Sequence, residues 1–176
     1  MIVRETPRLR LREVTASDAP FILELVDSAE FRRWIGDRGV SDLPSASRYI
    51  EQGPRASYAR HGFGLWAVEL RESRAPIGLC GLLKRDTLDD VDLGYALLAR
   101  HAGHGYAREA AAAALAWGNE VRGLARIVAI VLPDNARSIA VLEAIGMRFE
   151  RPLPPDSTGQ ALALYAWSAP RRHQLA

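Results

Sequence analysis

The sequence has little of several things that would point away from an ordinary intracellular domain. It holds one cysteine, Cys80, so no intramolecular disulfide can form, which fits a reducing, cytoplasmic compartment. It has no long hydrophobic run. The amino terminus MIVRETPRLRLREV contains no apolar stretch of signal-peptide length, and no segment approaches the roughly 20 residues that cross a bilayer. Secretion and membrane insertion are therefore disfavoured. Charge of one sign is also missing: 23 basic residues against 21 acidic ones leave a formal net charge of +2. The isoelectric point is high because arginine titrates late, and that balance implies no nucleic-acid partner. The four histidines, His61, His101, His104 and His173, do not form a spaced ligand set, so no metal is expected. Repeats and low-complexity linkers are absent. With 176 residues, 48% hydrophobic and 25% charged, the chain reads as one globular domain over residues 1–176.

What is present is a strand and helix pattern. Arg8 to Arg12 alternates apolar and charged residues, the period of a half-buried strand. Ser17-Asp18 then offers a cap for an amphipathic helix to Trp34, carried by Phe21, Ile22, Leu25, Val26 and Ala29. A second helix is expected from Pro44 to Ala59, with a break or kink at Gly53-Pro54. Leu65 to Leu70 and Ile77 to Leu83 read as an antiparallel strand pair, Val91 to Leu98 as a third strand. An alanine-rich helix from Ala107 to Glu120 follows, then a strand from Ile127, a short helix from Asp134 to Ala144 closed by Gly146, and a last strand from Gln160 to Trp167. This order predicts an α/β (α+β) mixed sheet with helices on both faces.

Gly103-His104-Gly105-Tyr106-Ala107 stands where a strand gives way to a helix, so its backbone N–H groups and the helix dipole can converge on an anion. A P-loop would need Gly-Lys-Ser/Thr where Gly105-Tyr106-Ala107 stands, and a dinucleotide fingerprint would need a third glycine where Arg108 stands. Neither fits. By itself the loop is equally a plain glycine turn before a helix.

The wider segment, GYALLARHAGHGYAREAAAAALAW followed by PDNARSIAVLEAIGMRF, resembles the RimJ/RimL branch of the GNAT acetyltransferases. Thr6-Pro7-Arg8-Leu9 with Leu11-Arg12 extends the resemblance loosely. The family's phosphate-loop pattern maps onto Ala102 to Ala107, with Ala102 in place of the usual polar residue. A register starting at Arg100 also fits but misplaces Tyr106 to Glu109.

The resemblance implies a mostly antiparallel twisted sheet with two splayed strands and acetyl-CoA as cofactor. It implies direct acetyl transfer to a primary amine, either a protein amino terminus or a small molecule. Leu97 and Leu98 would offer backbone groups to the pantetheine arm. The amides of Gly103, His104, Gly105, Tyr106 and Ala107 would hold the pyrophosphate. Asn135 would hydrogen-bond the pantetheine, and Ser138 would lie near the sulfur, although both residues equally suit helix capping. Ser138 is a candidate acid, because the family's usual tyrosine is replaced here by Leu142. Asp92 is the candidate base, acting through a water, or else a solvated strand-edge carboxylate continuing Asp89 and Asp90. For Tyr95, Tyr106 and Tyr165 packing is the simpler role. The acceptor pocket would draw on Trp34, Arg38, Tyr58 and the loop Pro152 to Gly159. A non-catalytic acyl-CoA sensor or scaffold on the same fold is the alternative, and either form could be a monomer or a homodimer.

Overall fold

Leu9 and Leu11, alternating with arginines, are fully buried, and they make β2 (Leu9–Arg12) a half-buried strand as their spacing demands. The computed structural model describes residues 1–155 and 159–170. Before β2 runs an edge strand, β1 (Ile2–Glu5), which the sequence does not announce because Val3 is its one side chain packed against the core, and that only partly. The next strands are β3 (Leu65–Leu70), β4 (Pro76–Leu83), β5 (Asp92–Leu97), β6 (Arg126–Val131), β7 (Arg148–Pro152) and β8 (Ala163–Ser168). They form one eight-stranded sheet in the order β1-β2-β3-β4-β5-β6-β8-β7. Neighbours are antiparallel except β5 and β6. Edge strand β7 is exposed along its whole length and carries no alternation, so it too escapes the sequence pattern.

Helices cover both faces. On one, α5 (Tyr106–Arg122) and α6 (Ala136–Ala144) pack Ala110, Ala111, Ala114 and Leu142 against Trp66, Val68, Cys80 and Leu82. On the other, α1 (Ala19–Val26), α2 (Ala29–Trp34) and α3 (Leu43–Ile50) bury Ile22, Leu25, Phe31 and Ile50 against Ala67 and Leu79.

The single helix expected from Asp18 to Trp34 is two. Ser28 Oγ donates to the Leu25 carbonyl at 2.6 Å and accepts from the Phe31 amide at 3.2 Å, so it ends α1 and caps α2 in one step. The expected break at Gly53-Pro54 is a wide π-helical turn over Glu51–Arg55, which accommodates the proline's missing N–H between α3 and α4 (Ala56–His61). Among the described residues no helix is long and apolar enough to cross a membrane.

Candidate active site

Strands β5 and β6 share a single register pair, Asp92 with Val128, while β6 stays paired to β8 along its whole length. Beyond Asp92 the two parallel strands part. The antiparallel ladder between β4 and β5 decides which backbone groups face the gap. Leu98 N–H donates to the Ile77 carbonyl at 2.9 Å, so Leu98 is hydrogen-bonded to β4. By alternation Leu97 and Tyr95 turn their N–H and C=O groups away from β4 and into the opening. Of Leu97 and Leu98, only Leu97 therefore presents a free edge to the gap. The Leu98 carbonyl also accepts from His101 N–H at 2.9 Å, and its side chain is buried.

The gap leads to the glycine loop. Gly103 and Gly105 have φ of 80° and 78°, left-handed conformations that favour glycine, and Gly105 directly precedes α5. The amides of residues 103–107 donate to no other described group, as expected for a turn opening a helix. Residues that the sequence reading left apart brace this loop from below. Arg8 Nη1 donates to the His104 carbonyl at 2.9 Å, and its guanidinium lies 4.7 Å from the Tyr106 ring centre. Arg8 Nε meets Glu109 Oε2 at 2.6 Å, while Thr6 Oγ1 and the Arg8 amide reach Glu109 Oε1 at 2.6 and 3.0 Å. Burial disfavours the Glu109 charge, but the bonds from Thr6 and Arg8 outweigh it and hold the carboxyl below its ordinary pKa. The signal lay in two stretches of sequence, Thr6-Pro7-Arg8-Leu9 and Tyr106-Ala107-Arg108-Glu109, whose meeting only the fold reveals.

Across the gap, Asn135 caps α6, its Oδ1 accepting from the Ser138 amide at 3.1 Å. That leaves the Asn135 side-chain NH₂ as its remaining donor. The Ser138 hydroxyl lies 2.7 Å from the Tyr95 hydroxyl, which also donates to the Ser138 carbonyl at 3.0 Å. Tyr95 thus reaches from β5 to α6 rather than simply filling core. Burial raises its pKa, with the Ser138 bond pulling the other way. When the phenol proton goes to the carbonyl, Ser138 must give its own proton to Tyr95, so the two hydroxyls act as a pair.

Asp92 corrects the picture of a solvated strand-edge carboxylate: it is 1% exposed. Its Oδ2 accepts from Arg85 Nε at 2.5 Å, and Oδ1 is buried without a hydrogen bond of normal geometry. Burial pushes its pKa up to about 6, against Arg85 and the Ile130 backbone, which both favour the charged form. It stands where β5 and β6 part. Cys80 is buried in the core, which raises its thiol pKa. Tyr58 is no pocket residue of free function: its hydroxyl donates to the Leu65 carbonyl and accepts from the Val14 amide at 3.1 Å, bolting α4 to the sheet. Trp34 bonds Glu30 on its own helix at 3.1 Å. Of the loop Pro152 to Gly159, residues 156–158 lie outside the described residues. Among the described residues no group of three or more potential ligands could hold a metal ion.

A family model described as "Acetyltransferase (GNAT) domain" matches residues 8–148. The chain belongs to the GNAT acetyltransferases. It is 28% identical to an uncharacterised N-acetyltransferase, YoaA, of Bacillus subtilis (strain 168), over 84% of each chain. It is 34% identical to YkkB of the same organism over 64% of this chain, a match spanning just under two thirds (66%) of that protein. Among solved structures, an acetyltransferase from Agrobacterium tumefaciens str. C58 has 32% identity and a TM-score of 0.79 over 94% of both chains. RimJ of Mycobacterium smegmatis, in complex with CoA-disulfide, has 27% identity and a TM-score of 0.77, covering 92% of this chain and 82% of that one. The GNAT domain is of the RimJ/RimL-like type.

Proposed function

We propose that the protein is an acetyl-CoA-dependent N-acetyltransferase that transfers the acetyl group directly to a primary amine. The observation that carries this reading is the continuous path from the unpartnered amides of residues 103–107, along the free edge of Tyr95 and Leu97, to the point where β5 and β6 part. The amides and the amino terminus of α5 suit a pyrophosphate, the free strand edge suits the amide-bearing pantetheine arm, and the acyl end would reach the Ser138 and Asp92 region. The complex of RimJ with CoA-disulfide supports a CoA site on this fold.

In this reading the acceptor amine arrives protonated and must lose a proton before attack. An α-amino group titrates near about 8, so a carboxylate with a pKa near 6 is a far better match than one at the ordinary value. Asp92 takes that proton through a water, while Arg85 holds its other oxygen. The neutral amine attacks the thioester carbonyl, the C–N bond forms, the C–S bond breaks and the thiolate leaves, and the second proton of the attacking nitrogen passes to the thiolate, which departs as the thiol. A thiol of pKa about 8.5 departs with little acid assistance, so the part of the Ser138–Tyr95 hydroxyl pair is small: with the Tyr95 proton turned from the carbonyl to Ser138 Oγ, the Ser138 hydroxyl is free to donate a hydrogen bond to the sulfur. Asn135 holds the pantetheine through its side-chain NH₂.

Calorimetry with CoA on wild type and Gly105→Glu, followed by thiol release with a panel of amines, tests the assignment. The wild type binds CoA and turns over an amine. The variant stays folded and loses binding, because a carboxylate enters the phosphate cradle at a position of positive φ. Wild-type affinity in the folded variant removes the phosphate site, and saturable CoA binding without acceptor-dependent turnover removes the enzyme.

A further inference from the structure

The face of the sheet that carries α1 to α3 holds two adjoining clefts, which share Tyr49, Gln52 and Gly53. The first runs inward to Leu65 and Leu83. A Cβ added to Gly94 on β5 would stand 2.8 Å from Leu83 Cδ1 and 3.6 Å from Leu65 Cδ2. Gly94 lies two residues past Asp92, on the same side of the strand. Leu65 and Leu83, which form the inner end of this cleft, therefore lie against Gly94, close to where β5 leaves β6.

Its charge is of one sign. Arg60 and Lys84 line the first cleft and Arg38 and Arg48 the second, and neither lining contains an aspartate or glutamate. Among the described residues none of these four side chains forms an ion pair, whereas neighbouring Arg55 is paired with Glu51 and Arg85 with Asp92. Lys84 Nζ donates to the backbone carbonyls of Leu88 and Asp89, at 3.0 and 2.5 Å, and Arg38 to that of Ile35 at 3.3 Å. Beside the second cleft, Asp42 accepts from the Ser45 amide and hydroxyl and interacts electrostatically with Arg48, and Asp37 accepts from the Gly39 amide. Burial raises the Tyr49 phenol at the junction of the two clefts, while the charges of Arg38 and Arg85 act against it.

We propose that the acceptor is an amine bearing a carboxylate on the same molecule. Its amino group lies at the inner end of the first cleft, by Leu65 and Leu83, and its carboxylate is held by the Arg38, Arg48, Arg60 and Lys84 set. The inference rests on the acetyltransferase reading and narrows it. A cleft lined by cations with no carboxylate among its lining residues concentrates anions and repels polycations, so polyamines and aminoglycosides are poor acceptors. A free acidic amino acid and an acidic peptide amino terminus share the required chemistry.

CoA release is measured with peptides that begin with alanine followed by two aspartates, two asparagines or two lysines. Free glutamate, its diamide and spermidine form a second arm. The expected kcat/KM for the acidic member of an arm exceeds its neutral counterpart by about tenfold or more at low salt, and the margin shrinks as salt rises. The arm that shows the effect identifies peptide or amino acid as the source. Arg60→Gln, Arg38→Gln and Lys84→Gln each lower kcat/KM for the acidic acceptor several-fold, through KM, with CoA affinity unchanged. Equal or better turnover of neutral or cationic acceptors overturns the proposal and leaves the acetyltransferase reading standing. So does an acid preference that survives all three substitutions. No turnover in either arm despite CoA binding overturns both.

Discussion

Asp92 shows how far one residue's chemistry depends on its surroundings. With a folded pKa of about 6, above the ordinary 3.8, its proton is held more tightly in the folded chain than in the unfolded one. Between about pH 4 and 6 the unfolded state binds fewer protons, so stability falls as pH rises through that window, by on the order of 3 kcal/mol in all. Urea unfolding from pH 4 to 7 should show this slope in the wild type and lose it in Asp92→Asn. The same variant should keep its CoA affinity and lose about 10²- to 10⁴-fold in kcat/KM, the range of a missing general base. An unchanged rate would remove Asp92 from the mechanism. The sequence shows Asp92 among other acids, Asp89 and Asp90, and so suggests solvent. The difference is made by β6 and Arg85, which close over a position that nothing local marks as buried.

At the scale of elements, the loop before α5 and the strand pair β1–β2 form one device. Arg8, just before β2, grips both the His104 carbonyl and Glu109 in the first turn of α5. The Arg8 side chain is 49% exposed, so the ion pair by itself contributes little to stability. Its expected effect is on the order of the loop: pulling the His104 carbonyl toward Arg8 turns the neighbouring amides outward. Arg8→Ala should therefore raise the Kd for CoA about five- to tenfold and change unfolding free energy by under about 1 kcal/mol. Calorimetry and urea unfolding on one preparation separate the two. A wild-type Kd would make the contact purely structural. Both partners were visible as parts of a family resemblance, but over a hundred residues separate Thr6 from Glu109, and no spacing rule connects them. The helix breaks divide the same way: Gly53-Pro54 states its own consequence, whereas Ser28 inside an apolar period reads as helix until its hydroxyl is seen to cap Phe31.

For the whole molecule, Arg12 ties the sheet to the α1 face. Its guanidinium binds both oxygens of Asp18 at 2.8 Å and Glu69 at 2.6 Å, with both carboxylates nearly buried. Removing one partner from such a set leaves charge unpaired inside, so Arg12→Met should cost about 3 kcal/mol in urea unfolding. A loss below about 1 kcal/mol would show that solvent reaches the pair. What the sequence determined by itself was local or periodic: the strand alternation, the alanine-rich helix, the glycine loop at its start, and the family motifs around them. These follow from propensities and spacings acting over a few residues. Only the tertiary structure decided that β5 leaves β6 after one pair and that Leu97 rather than Leu98 faces the gap. It also decided that Tyr95 reaches Ser138, and that Arg60 and Lys84 line one cleft with Leu65 and Leu83. Each of these depends on which distant segment lies alongside, and that is set by packing the two helical layers on the sheet, which no short stretch of chain encodes.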